Sequence, residues 1–179
     1  MTPTAPRARR RPPNGALLTA ASANEFLFGL LFNQGQSAKR AWQAPEVLRE
    51  RLGTLKPSAI AGRSVGEVAA AIALRPALHR FPRVVAGYVW KSCDVLAREY
   101  ESDARRIWSP GVGLAVLLKR LEGFPGIGRH KAIVGAFLLT HEHHVVVYDD
   151  ATRVSIRENC AGLYRLYAPI DAPRLHPGR

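Results

Sequence analysis

Leu118-Lys-Arg-Leu-Glu-Gly-Phe-Pro-Gly-Ile-Gly-Arg-His-Lys-Ala132 reads as the end of an apolar helix, a Pro-Gly-apolar-Gly turn and the start of a basic helix. The flanking stretches, Val112 to Leu121 and Gly128 to Thr140, are apolar at helical spacing. Only Glu122 to Gly128 separates them, with three glycines, which fits a tight helix-to-helix hairpin. Gly126 and Gly128 permit positive φ and close approach, so the N–H groups of the turn and of the next helix start can aim at one phosphate. Ile127 is counted with Gly126 and Gly128 in a turn that would meet nucleic acid, and Arg129 and Lys131 add salt-dependent attraction to an anion. A plain interhelical loop uses the same residues for chain reversal.

Outward from the hairpin, the chain is helical almost throughout. Asn24 predicts an N-cap, followed by Phe26, Leu27, Leu30 and Leu31 at helical spacing up to Gly35. A second helix runs from Ser37 to Leu52, with Pro45 inside it and Gly53 ending it, and a short piece follows Ser58. Ser64 and Glu67 have capping-box spacing ahead of Val68, Ala69, Ile72 and Leu74, and Pro76 stops that helix. Pro82 to Tyr100 is the longest periodic run, with Val85, Val89, Ser92 and Leu96 on one face. Val145 to Tyr148 is β-rich but short and has no partner of similar character. The fold class is therefore all-α.

The 179 residues suffice for one domain, divided here into a disordered basic arm over 1–15 and a helical domain over 16–179. Lysine and arginine number 26 against 14 acids, a net charge of +12, so an anionic partner is expected. Arg7, Arg9, Arg10 and Arg11 lie in the arm without an acid, yet the rest of the chain still carries +8. Cys93 and Cys160 are too few for a disulfide framework, a four-thiolate cluster or a paired zinc site, and a reducing cytoplasmic setting is the expectation. No apolar run approaches the roughly 18 residues of a membrane helix, so no membrane association is expected. The composition is that of a soluble globular protein.

The hairpin segment closely resembles that of the helix-hairpin-helix DNA glycosylases, the superfamily of endonuclease III and 3-methyladenine glycosylase, whose pattern is Leu-Pro-Gly-apolar-Gly-Arg-x-x-Ala. Phe124 stands where that pattern has leucine. The resemblance spans residues 24 to 152, with Asn24 to Gln34 similar to an early core helix and Ala70 to Tyr100 to a central helix pair. It implies a helical glycosylase-like domain, with a small second lobe because 29 residues follow Asp150. It also implies an aspartate about 18 to 20 residues beyond the variable position held by His130; Asp149 and Asp150 are 19 and 20 beyond it. A fixed carboxylate there would stabilise charge developing on the sugar or orient water. Asp150 is preferred and Asp149 is the alternative; both also suit a turn and N-cap before a last helix near Thr152.

Bifunctional members carry a Schiff-base lysine at the position of His130, so the resemblance implies a monofunctional enzyme in which His130 borders the base pocket. Lys131 lies about 100° further round the helix and is assigned to phosphate contact. Gln34 matches the glutamine that fills the gap in the duplex or contacts the opposite base. The resemblance further implies no required cofactor, a monovalent cation on hairpin carbonyls between Phe124 and Ile127, no iron–sulfur cluster, and double-stranded DNA bound by a monomer, nucleoid-associated in a bacterium. His141, His143 and His144 lack zinc spacing and read as a solvated corner. Trp42, Trp90 and Trp108 read as core. The expected function is excision of a damaged or modified base from duplex DNA; the alternative is a noncatalytic hairpin DNA-binding protein, and a docking role for the arm or for the tail after Ala168 is a third.

Overall fold

The computed structural model describes residues 19–156, and expectations for the arm, for Cys160 and for the tail lie outside the described residues. Seven α-helices follow in order: α1 Ala20–Phe32, α2 Ala38–Leu52, α3 Pro57–Ala61, α4 Val65–Ala73, α5 Pro82–Glu99, α6 Leu114–Glu122 and α7 Arg129–His141. A 3₁₀ turn, Ala104–Ile107, and two short strands, β1 Val112–Gly113 and β2 Val147–Tyr148, complete the described part.

Two helices form the middle of the fold because they are apolar all round. Every residue from Phe26 to Phe32 is buried, and so is every residue of α7 from Lys131 to Ala136; such helices are held by neighbours rather than by one amphipathic face. The two touch directly, since a Cβ on Gly135 would stand 2.8 Å from Leu30 Cδ1. Around them, α2 packs on α1, where Gly29 lies under the Trp42 ring. Helices α3 and α4 pack on α5, and α6 runs alongside α7.

Local signals set most helix ends. Ser37 caps α2, and Gly53 ends it in the left-handed region at φ 74°. The Ser64–Glu67 capping box starts α4, worth roughly 1 kcal/mol for such a cap. Pro82 opens α5 at a position that needs no N–H donor.

Several expectations need correction. Helix α1 starts four residues before Asn24, capped by a reciprocal Thr19–Ser22 box. Asn24 is instead buried within α1, where its Nδ2 donates to Ser102 O at 3.0 Å and its Oδ1 accepts from Ala104 N at 2.9 Å. The β-rich segment does have a partner: Val147 and Tyr148 pair in parallel with Val112 and Gly113. Through Ile156 no last helix forms at Thr152; the chain turns back so that Tyr148 bridges Ser155. The histidine corner is half-buried and packed, with the His143 ring edge-on to Phe26 and His141 against Phe137. Trp108 is core, whereas Trp42 and Trp90 are partly buried against it.

Candidate nucleic-acid interface

The hairpin is a tight turn. Phe124 is buried and its carbonyl accepts from Ile127 N at 3.0 Å, with Ile127 also buried. Gly126 sits at φ 85° with the Tyr88 ring against it, and a Cβ there would be 2.5 Å from that ring. Glycine is needed on both counts. Gly128 then caps α7 without any side-chain hydrogen bond and has open space on its Cβ side. The start of α7 at Gly128 to His130 is thus exposed and uncapped, the positive end of a helix dipole with no carboxylate in its first turn.

The basic residues of the motif divide. Arg129 and His130 are exposed, and Arg129 Nη1 lies 3.1 Å from Glu122 Oε1. Lys131, assigned to phosphate contact, instead points inward: it is 8% exposed and Nζ donates to Leu31 O at 3.1 Å. Its ammonium satisfies a carbonyl in the last turn of α1. Burial lowers its pKa to about 8.

Gln34 lies three residues beyond Leu31, just after the end of α1. Gln34 is exposed, and its carbonyl is 2.7 Å from His79 Nε2. His79 is buried, and its Nδ1 accepts from Phe81 N at 3.1 Å, so Nε2 carries the proton and donates to Gln34. The imidazole thus ties the Gln34 loop to the segment leading into α5. On that segment Phe81 is 51% exposed, with the Arg80 guanidinium 4.7 Å over its ring. Arg80 also lies across Gly35, where φ is 62°. Sequence reasoning missed Arg80 and Phe81; the available signal was an aromatic residue directly before the proline that starts the longest helix.

The paired acids have separate partners. Asp149 folds onto its own turn, with Oδ1 accepting from Ala151 N, Thr152 N and Thr152 Oγ1 at 2.8–3.1 Å. Those bonds, from Thr152 first, hold its carboxyl below the usual carboxylate range. Asp150 reaches across 35 residues of sequence, and its Oδ2 accepts from Ala115 N at 2.8 Å at the start of α6. Gly113 gives α6 no side-chain cap, and any Cβ on Gly113 would overlap Asp150 Oδ1. Pairing of β2 with β1 brings the acid to that helix end.

Helix α6 therefore has the Asp150 carboxylate at its N-terminus and the hairpin turn at its C-terminus. Nine residues separate the two by about 13 Å of helix, near four nucleotide steps along one strand. Neither acid lines either of two surface clefts, of about 680 and 500 Å³. Among the described residues no group of three His, Cys, Asp or Glu side chains is arranged to hold a metal ion, and no helix is long and apolar enough to cross a membrane.

No family model matches the sequence, and no curated protein matches it. Among solved structures the chain is similar to a trapped endonuclease III–DNA covalent intermediate in an estranged-adenine complex, at 18% identity and a TM-score of 0.48, over 63% of this chain and 46% of that one. The described part is a mostly helical fold that spans about half the length of that solved chain.

Proposed function

We propose that the chain is a DNA glycosylase-type domain that grips duplex DNA by a phosphate at the hairpin and hydrolyses the bond between a flipped base and its sugar, acting as a monomer. The observation that carries this reading is the uncapped, exposed N-terminus of α7 behind the Pro-Gly-Ile-Gly turn, one helix length from a fixed carboxylate. As the C1′–N bond breaks, its electron pair leaves with the base and positive charge develops on the sugar. The Asp150 carboxylate, held by Ala115 N, stabilises that charge and orients the water whose oxygen bonds to C1′. One proton of the water passes to the departing base and the other stays on the new C1′ hydroxyl.

The other exposed groups have places in the same account. Gln34, with Phe81 and Arg80 beside it, fills the space vacated by the flipped nucleotide. His130 borders the base and offers no amine for a Schiff base. Carbonyl oxygens from Phe124 to Ile127 are hard donors that would hold an alkali cation, which would supply positive charge at the turn.

The test is single-turnover base release from duplexes carrying uracil, alkylated purines, oxidised bases and bulky modified cytosines. Release is expected from at least one duplex, and Asp150→Asn should abolish it while duplex binding persists; Asp149→Asn should leave it largely intact. A second reading rests on the finding that Asp150 serves as the missing cap of α6 and lines neither of the two clefts. It makes the chain a noncatalytic DNA-binding module, with salt-sensitive binding and no base released from any duplex.

A further inference from the structure

A cleft of about 680 Å³, lined by neither Asp150 nor Gln34, lies between the end of α5, the 3₁₀ turn and α6. Arg105, Arg106 and Arg120 line it together with the acids Glu99 and Asp103, so arginines outnumber carboxylates on its wall. The arginines are held in place. Asp103 takes Arg105 Nε through both carboxylate oxygens at 2.9 Å and Nη2 at 2.6 Å. Arg120 gives one of its five N–H groups to Ile107 O at 2.8 Å. Arg106 is tied only to Glu101, whose side chain is 72% exposed, and an exposed pair of that kind is readily exchanged for another anion.

The segment that carries these groups is fixed from below. Glu101 and Ser102 both adopt positive φ, 50° and 61°, a region uncommon for residues with side chains. Buried Asn24 holds that turn through Ser102 O and Ala104 N, and Ser102 N donates to Leu96 O at 2.8 Å. These bonds hold the turn that precedes Arg105 and Arg106 in one backbone conformation. Tyr100, on the same wall, has its ring 5.8 Å from that of Phe124 in the hairpin turn, so cleft and hairpin share a wall. Burial pushes the pKa of the Tyr100 phenol up.

We propose that this cleft is a second phosphate-binding site, in which Arg105, Arg106 and Arg120 take a phosphate group of the nucleic-acid backbone or of a free nucleotide. The backbone source rests on the reading of the chain as a DNA-binding domain and would extend the bound strand beyond the hairpin; the nucleotide source does not. A bound phosphate displaces Glu101 from Arg106, which gives two substitutions opposite expected signs.

The experiment measures fluorescence anisotropy of a short duplex over a salt series, and NMR titration with a 5′-mononucleotide, for the wild type, Arg106→Gln, Glu101→Gln and the hairpin variant Arg129→Gln. With the backbone as source, Arg106→Gln weakens duplex binding about fivefold and lowers the salt slope by about one, while Glu101→Gln tightens it about twofold. With a free nucleotide as source, the same opposed changes occur in the nucleotide titration alone. If Arg129→Gln weakens the duplex while both cleft variants match the wild type with either probe, the second site is overturned and the DNA reading stands. A wild type that binds the mononucleotide through Arg106 but not the duplex supports the phosphate site and overturns the DNA reading, and one that binds neither overturns both.

Discussion

Lys131 shows what a single side chain can conceal in a basic run. In sequence it sits between His130 and Ala132 at the start of a helix and reads as one more cation for a phosphate, but its stem passes inward and its ammonium meets Leu31 O. Nothing in the local pattern distinguishes it from exposed Arg129, because the difference depends on α1 ending where α7 begins. The consequence is a pH dependence of stability. Burial lowers the pKa from 10.5 to about 8 in the folded chain. Below pH 8 both states carry the proton, and folding bears the whole cost of burying the charge. Between about 8 and 10.5 the unfolded chain binds a proton that the folded chain has released, so this group's contribution makes stability rise with pH, and it levels off above 10.5. Denaturant unfolding of wild type and Lys131→Met at pH 7, 9 and 10 should show the difference, wild type minus variant, growing by up to about 3 kcal/mol over that range. A difference independent of pH would mean that the ammonium is hydrated in the folded state. Asn24 teaches the same lesson in reverse: a residue that predicts a cap holds a distant turn, and Asn24→Ala should cost about 1–3 kcal/mol in thermal or denaturant unfolding by leaving Ala104 N–H and Ser102 C=O without that partner.

At the scale of elements, helix ends were legible wherever the cap lies within a few residues of the helix it serves. Ser37, Gly53, the Ser64–Glu67 box and Pro82 each act where the sequence places them. The start of α6 was not legible, since its cap comes from Asp150 through a two-residue parallel pairing that no local pattern announces. The same pairing explains why Val145 to Tyr148 lacked a visible partner: Val112 and Gly113 are too short a strand to read. Gly113 is the element's weak point, because a side chain there would occupy the space of the Asp150 carboxylate. Gly113→Ala should push that carboxylate off Ala115 N, at a cost of about 1–2 kcal/mol from a lost charged cap. In a base-release assay it should also reduce the rate while leaving duplex affinity near that of the wild type, since the hairpin lies at the other end of α6. Unchanged stability and unchanged release would show that the carboxylate finds an equivalent position without the Ala115 bond.

For the whole molecule, the sequence predicts a basic, helical domain built around a Pro-Gly-Ile-Gly hairpin, but not how that hairpin is joined to the rest. Pro125, Gly126 and Gly128 read equally well as a phosphate loop and as simple chain reversal, and the turn's anchor on α5 depends on Tyr88, 38 residues earlier. The α6–α7 hairpin is held to the other helices by a few close approaches: Gly135 against Leu30, Lys131 on Leu31 O, Phe124 with Tyr100, and Gly126 under the Tyr88 ring. Gly126 joins the two requirements of the fold, because its positive φ shapes the turn and its missing side chain admits Tyr88. Gly126→Ala meets both a disfavoured backbone region and a ring 2.5 Å from the new carbon, which together should destabilise the domain by about 2–4 kcal/mol and lower its melting temperature by several degrees. Tyr88→Ala in the same background relieves the clash but not the backbone. The double variant should therefore be less destabilised than the two single effects added together, while its duplex affinity stays as low as that of Gly126→Ala. If removing the Tyr88 ring instead restored duplex affinity in full, the positive φ at Gly126 would be dispensable, and the turn would act only as a link between helices.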